Sequence, residues 1–205
     1  MLVGRRIGKV GRIVHWKESG MLITRRRMLA TAAAGGTLAA GLTPRKLRAA
    51  QLNSVSSALK LIVPAMAPPA ITFLDAAGKP HHLSEFLGHG MLINLWATWC
   101  PPCVEEMPSL AVMAKALAPN NMAVLPLSAD NGGAKAVEAF FARRKITGLP
   151  VLLDPDGAAA RAFNVPGLPT SIVIGKKGLQ LARAVGAVNW AAPEAASIVQ
   201  RLAEG

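Results

Sequence analysis

The chain has 205 residues, enough for one domain of ordinary size and an additional segment. Its net charge is +12, but residues 1–60 hold twelve Lys/Arg beside a single acid, Glu18, whereas residues 61–205 hold eleven against ten acids. The larger C-terminal part is thus nearly neutral, which excludes a basic nucleic-acid-binding face there, and two cysteines three positions apart exclude a disulfide-stapled scaffold.

The N-terminal part reads as an address. Arg25, Arg26 and Arg27 precede a modest apolar stretch, Met28 to Leu42, which is diluted by Gly and Thr. It falls short of the roughly 18–20 apolar residues of a clear membrane span. A basic cluster followed by an apolar core is the layout of a bacterial export signal. Thr24-Arg25-Arg26-Arg27-Met28-Leu29 resembles the twin-arginine motif, and the weak core suits that route better than general secretion. Residues 1–49 are therefore assigned to an export signal. Leu47-Arg48-Ala49 is a poor cleavage match, so an uncleaved N-terminal membrane anchor stands as the alternative. Residues 1–20 precede the signal awkwardly, which points to Met21 as the start.

Residues 50–67 read as a linker ended by prolines, Pro64 among them, and residues 68–205 as the folded domain. Ile71–Leu74, the turn Ala77-Gly78-Lys79 and His82-Leu83 predict a β-hairpin. Ser84 can cap a short helical turn. Met91–Ala97 is an apolar run expected as a buried strand. Pro101–Leu117 is a helix opened by two prolines and closed by Pro119. Ala123–Ser128 predicts a strand interrupted late by Pro126, and Ala134–Lys145 a helix with Val137, Phe140 and Phe141 inward. A brief strand (Val151–Leu153), a short helix (Ala158–Phe163), two strands joined through Gly175-Lys176-Lys177-Gly178 (Thr170–Ile174, Gln180–Val185) and a helix over Ala192–Leu202 complete the order. Strands alternating with helices and ending in a hairpin imply an α/β layered sandwich with a mixed sheet.

Cys100-Pro101-Pro102-Cys103 lies between a predicted strand and a predicted helix. At a helix N-terminus the unpaired N–H groups and the dipole stabilise a thiolate, so Cys100 is the expected nucleophile. Cys103, one turn later, can resolve a mixed disulfide on Cys100. The two prolines carry no N–H to offer the sulfur, which leans the pair toward reduction. A zinc site needs more ligands than the pair supplies, and a structural disulfide closing so small a loop stabilises little. His81, His82 and His89 lack finger-like spacing and read as surface residues. Leu168-Pro169-Thr170 opens a predicted strand where a proline is awkward. A cis Leu168–Pro169 bond beside the cysteines would leave backbone groups to pair with an extended substrate.

The run Asn94-Leu95-Trp96-Ala97-Thr98-Trp99-Cys100-Pro101-Pro102-Cys103, with Glu106 and Pro108 after it, resembles the thioredoxin superfamily, and more narrowly its TlpA/ResA-like periplasmic branch. Phe73, Asp75 and Gly78 fit that branch's N-terminal hairpin, Gly167-Leu168-Pro169-Thr170 its cis-proline loop, and Gly178 and Gly186 its terminal hairpin. The resemblance spans roughly residues 68–204. It implies a thioredoxin-like three-layer sandwich with a mixed central sheet and an added N-terminal β-hairpin.

Thioredoxin has a buried aspartate where Asn94 stands, and Asn94 cannot exchange a proton. The branch instead places a glutamate three residues after the second cysteine, which here is Glu106, beside a solvated Glu105. Burial would raise the Glu106 pKa and let it exchange a proton with Cys103. Cys100, Cys103 and Glu106 are the candidate catalytic residues, and Trp99, Pro101, Leu168 and Pro169 the candidate substrate contacts.

The resemblance further implies a periplasmic thiol–disulfide oxidoreductase, a reductase of exported client proteins with oxidisable cysteines, such as apocytochrome c or copper-centre assembly factors. Its electrons would come from a membrane thiol donor. No metal and no cofactor beyond the redox-active disulfide is expected, since no flavin- or nicotinamide-binding glycine motif is present. The alternatives are a dithiol oxidase or isomerase and a copper-binding assembly chaperone, which would want a third ligand although no His follows residue 89.

Overall fold

A computed structural model of the protein describes residues 52–204, and the expected export signal, its anchor alternative and the Met21 start lie outside them. Along the chain come α1 (Val55–Ala58), β1 (Lys60–Met66), β2 (Thr72–Asp75), β3 (Pro80–His82), β4 (Gly90–Trp96), α2 (Pro101–Leu117) and β5 (Met122–Ser128). They are followed by α3 (Gly133–Arg144), β6 (Leu152–Leu153), α4 (Ala158–Ala162), β7 (Thr170–Ile174), β8 (Gln180–Val185) and α5 (Ala195–Glu204). Among these residues no helix is long and apolar enough to cross a membrane.

The eight strands form one mixed sheet in the order β1-β8-β7-β4-β5-β6-β2-β3. β4, β5 and β6 run parallel, as strand–helix–strand crossovers require, and the other pairings are antiparallel. Every residue of β4 is buried, so its apolar run serves both faces. Leu92 and Trp96 look toward α2, α3 and α5, while Met91, Ile93 and Leu95 pack with Ala159 and Phe163 of the α4 region. The result is helices, sheet and helices in three layers. β2 and β3 make the expected hairpin, and β2 joins it to the sheet edge through β6.

Three expectations are corrected. The segment 50–67 is not a linker over its described part: Val55 is fully buried, and β1 pairs with β8 as the sheet's edge strand. Pro64 pointed away from regular structure, yet an edge strand accepts proline because one side needs no donor. Pro126 does not interrupt β5, which pairs with β4 through it. Of the described residues of β5, β6 pairs with Leu127 and Ser128 and not with Pro126, which leaves that side of β5 open at the proline. The last helix begins at Ala195 rather than Ala192, because the Ala192 carbonyl closes a tight turn onto the Ala195 N–H.

Candidate active site

β4 and β7 are antiparallel neighbours with Leu95 opposite Thr170. The segment leaving β4 and the loop entering β7 therefore meet at one end of the sheet. The first carries Trp99 and the cysteines, the second Leu168 and Pro169. The Leu168–Pro169 peptide bond is cis. Pro169 is buried, its carbonyl accepts from the Gly186 N–H at 2.9 Å, and half-buried Leu168 packs on the cluster that contains both cysteines.

Cys100 is the N-cap of α2, with Pro101 and Pro102 in the first turn, where a missing N–H costs no helical bond. Cys100 and Cys103 are joined by a disulfide, with Cα atoms 5.2 Å apart. The Cys103 N–H donates to Cys100 Sγ at 3.4 Å. That donor is one of the orphans of the helix end, so the sulfur that would carry the thiolate charge lies at the positive pole of a 17-residue helix. Cys100 retains 5% exposure and Cys103 none. Next to them Trp99 is 66% exposed and Pro101 is exposed. Trp96, three residues earlier, is instead a core residue stacked on Phe141 at 5.8 Å.

Glu106 lies one turn beyond Cys103 with 0% exposure, whereas Glu105 is exposed. Its Oε1 accepts from the Trp190 indole Nε1–H and from the Val188 N–H at 3.3 Å, and its Oε2 from Asn94 Nδ2 at 3.4 Å. Burial pushes the carboxyl pKa up to about 7, against the opposing pull of those donors. Such a group exchanges protons near neutrality.

The sequence did not single out most of this support. Trp190 and Val188 come from the segment before α5, and Ser109 Oγ ties that segment to α2 by accepting from the Trp190 N–H at 3.2 Å. Asp130 accepts from the Thr98 N–H at 2.9 Å, from Thr98 Oγ1 at 2.5 Å and from Ser128 Oγ at 2.6 Å, fixing the approach to Trp99. Asn94 was visible as a departure from an aspartate, but its role as a donor to Glu106 was not. Nothing local in the sequence marks the bond of Trp190 to Glu106 or of Asp130 to Thr98, since these partners lie 84 and 32 positions away.

Comparison with known proteins points the same way. The AhpC/TSA family model matches residues 64–179. The thiol-disulfide oxidoreductase ResA of Geobacillus kaustophilus is 32% identical over 110 residues, which is 54% of this chain and 62% of that protein. ResA of Bacillus subtilis is 29% identical over 126 residues, 62% of this chain and 69% of its own length. The chain thus spans about three-fifths of the length of the first of these relatives. Among solved structures, a thiol:disulfide interchange protein of the thioredoxin family from Chlorobium tepidum aligns with a TM-score of 0.58 and 26% identity, over 70% of this chain and 99% of its own.

Proposed function

The chain belongs to the AhpC/TSA family, and from that premise we propose that it is an exported thiol–disulfide oxidoreductase that reduces disulfides in client proteins. The observation that carries the reading is the arrangement along α2: Cys100 at the helix N-terminus accepting from the Cys103 N–H, and buried Glu106 one turn past Cys103. In the reduced protein the Cys100 thiolate attacks a client disulfide. One client thiolate leaves and a mixed disulfide remains. Glu106 takes the Cys103 proton, and the resulting thiolate attacks the Cys100 sulfur. The second client thiolate departs and the Cys100–Cys103 disulfide forms, two electrons having passed to the client.

Exposed Trp99 and Pro101 would flank the bound client chain, and the backbone at Leu168 would pair with it beside buried Pro169. A membrane thiol donor would return the two electrons, so the dithiol itself is the carrier and no cofactor or metal enters. Clients would be exported proteins with oxidisable cysteines, apocytochrome c or copper-centre assembly factors among them. The basic and apolar order of residues 25–42 supports export to the periplasm by the twin-arginine route, with the chain either released or held by an uncleaved N-terminal anchor.

The test is to express Cys103→Ser in the periplasm and identify what stays disulfide-linked to Cys100. Captured cysteine proteins, together with a potential well below the oxidase end of the range, support the reading. A potential of about −120 mV identifies an oxidase instead. Absence of capture while the purified protein holds Cu(I) tightly identifies an assembly chaperone.

A further inference from the structure

Asn94 sits in the middle of β4, fully buried, directly opposite Ser171 of β7 in the ladder. Its Nδ2 donates to Ser171 Oγ at 2.9 Å and to Glu106 Oε2 at 3.4 Å. Its Oδ1 is buried and has no hydrogen-bond partner among the described residues. A buried amide oxygen left unpaired costs free energy on the order of 1–3 kcal/mol, so such an atom in a native core needs a reason.

The two oxygens of Glu106 supply one. Among the described residues Oε1 is held by two donors, the Trp190 indole and the Val188 amide, whereas Oε2 has the Asn94 amide alone. An incoming proton therefore goes to Oε2, where it displaces the weaker contact. The O–H so formed can no longer face an NH2 group and requires an acceptor. The Asn94 Oδ1 is that acceptor once the amide turns over about its terminal bond, which moves the unpartnered position from Oδ1 to Nδ2 and so makes the turn depend on protonation of Glu106. Ser171 tolerates both orientations, because a hydroxyl accepts from NH2 or donates to C=O.

We propose that Asn94 is a rotating positioning residue for Glu106, presenting Nδ2 to the carboxylate and Oδ1 to the carboxylic acid. The inference rests on the reading of Glu106 as the proton carrier for Cys103. The proton lost by the Cys103 thiol is held on Oε2 and hydrogen-bonded to Asn94 until it is released. On α2 the residue one turn back is Cys103, which titrates only once the Cys100–Cys103 disulfide is reduced. β4 contributes Asn94, β7 contributes Ser171, and the segment before α5 contributes Val188 and Trp190, all neutral. Among the described residues no charged side chain contributes to the Glu106 titration.

The experiment is NMR of the oxidised, isotope-labelled protein from about pH 5 to about pH 9, bracketing the Glu106 carboxyl titration. The Asn94 side-chain NH2 resonances should move with the same midpoint as the Glu106 carboxyl carbon. Contact between those NH2 protons and the Ser171 β-protons should be strong above the midpoint and lost below it. Glu106→Gln places an NH2 group where the acid O–H would be, so in that variant Asn94 should stay in the low-pH orientation throughout. An Asn94–Ser171 contact unchanged across the titration overturns the proposal and leaves a fixed donor, as does a Glu106 carboxyl that fails to titrate in this range. Client capture by Cys103→Ser is independent of these readouts. Capture with an immobile Asn94 removes the rotation and keeps the oxidoreductase reading, and a rotating Asn94 without capture does the reverse.

Discussion

Trp190 donates its indole N–H to Glu106, a residue 84 positions earlier in the chain. The bond ties the segment preceding α5 to the helix that carries both cysteines. It also opposes the burial that drives the Glu106 pKa upward. The carboxyl is thus balanced between a dry setting that favours the acid and donors that favour the carboxylate.

Trp190→Phe keeps the ring and deletes the donor. The Glu106 carboxylate loses a partner, so its pKa rises further above about 7. In the reduced variant, the Glu106-governed midpoint for alkylation of Cys103 should move to higher pH by about one unit. An unchanged midpoint would mean that the indole contributes packing alone.

Glu106 also makes stability depend on pH. Its folded pKa, about 7, lies above the ordinary 4.5, so between those values the folded protein holds more protons than the unfolded chain. Its contribution is full below pH 4.5 and is lost as the pH rises through the folded pKa, by a total on the order of 3 kcal/mol. Thermal melts should show Tm falling across that window in the wild type, and Glu106→Gln should remove this component.

A second pH response belongs to the β2–β3 hairpin. His81 Nδ1 lies 2.8 Å from Glu85 Oε2, and its Nε2 lies 3.4 Å from Asp75 Oδ2. The Glu85 carboxylate first, and then Asp75, raise the imidazole pKa above 6.5. The stabilisation is present below that value and fades as the pH rises through the raised one. His81→Gln should flatten the neutral-range slope of Tm while leaving the more acidic Glu106 component in place. Melts of the single and double variants separate the two.

Gly90 opens β4 where a Cβ would stand 2.8 Å from Met122 Cε and 2.9 Å from Ala203 Cβ. The methionine tip can yield, but Ala203 is fixed on α5. Gly90→Ala should destabilise the fold by about 1–3 kcal/mol, read as a lowered denaturant midpoint with an unchanged m-value.

Asp130→Ala frees the Thr98 N–H and hydroxyl together with the Ser128 hydroxyl. The loss of these partners should cost about 1–3 kcal/mol and loosen the approach to Trp99. Disulfide reduction by the reduced variant should slow relative to wild type, while the Cys100–Cys103 disulfide still forms on oxidation.

The course of the chain from the hairpin to α5 was legible because its signals are local. The apolar run of β4, the prolines opening α2 and the turn glycines each act within a few residues. The one-turn steps from Cys100 to Cys103 to Glu106 were legible for the same reason, since one helix sets that spacing. β1 was not, because an edge strand containing Pro64 is made a strand only by β8, more than a hundred residues later.

The sequence by itself determined the order of elements from the hairpin to α5 and the one-turn steps from Cys100 at the start of α2 to Cys103 and Glu106 within it, since helical spacing is a local property. What surrounds Glu106 was decided by the tertiary structure alone. Asn94, Ser171, Val188 and Trp190 reach that carboxyl only after the sheet has paired and α5 has docked. Burial, which lifts its pKa, is likewise a property of the packed layers.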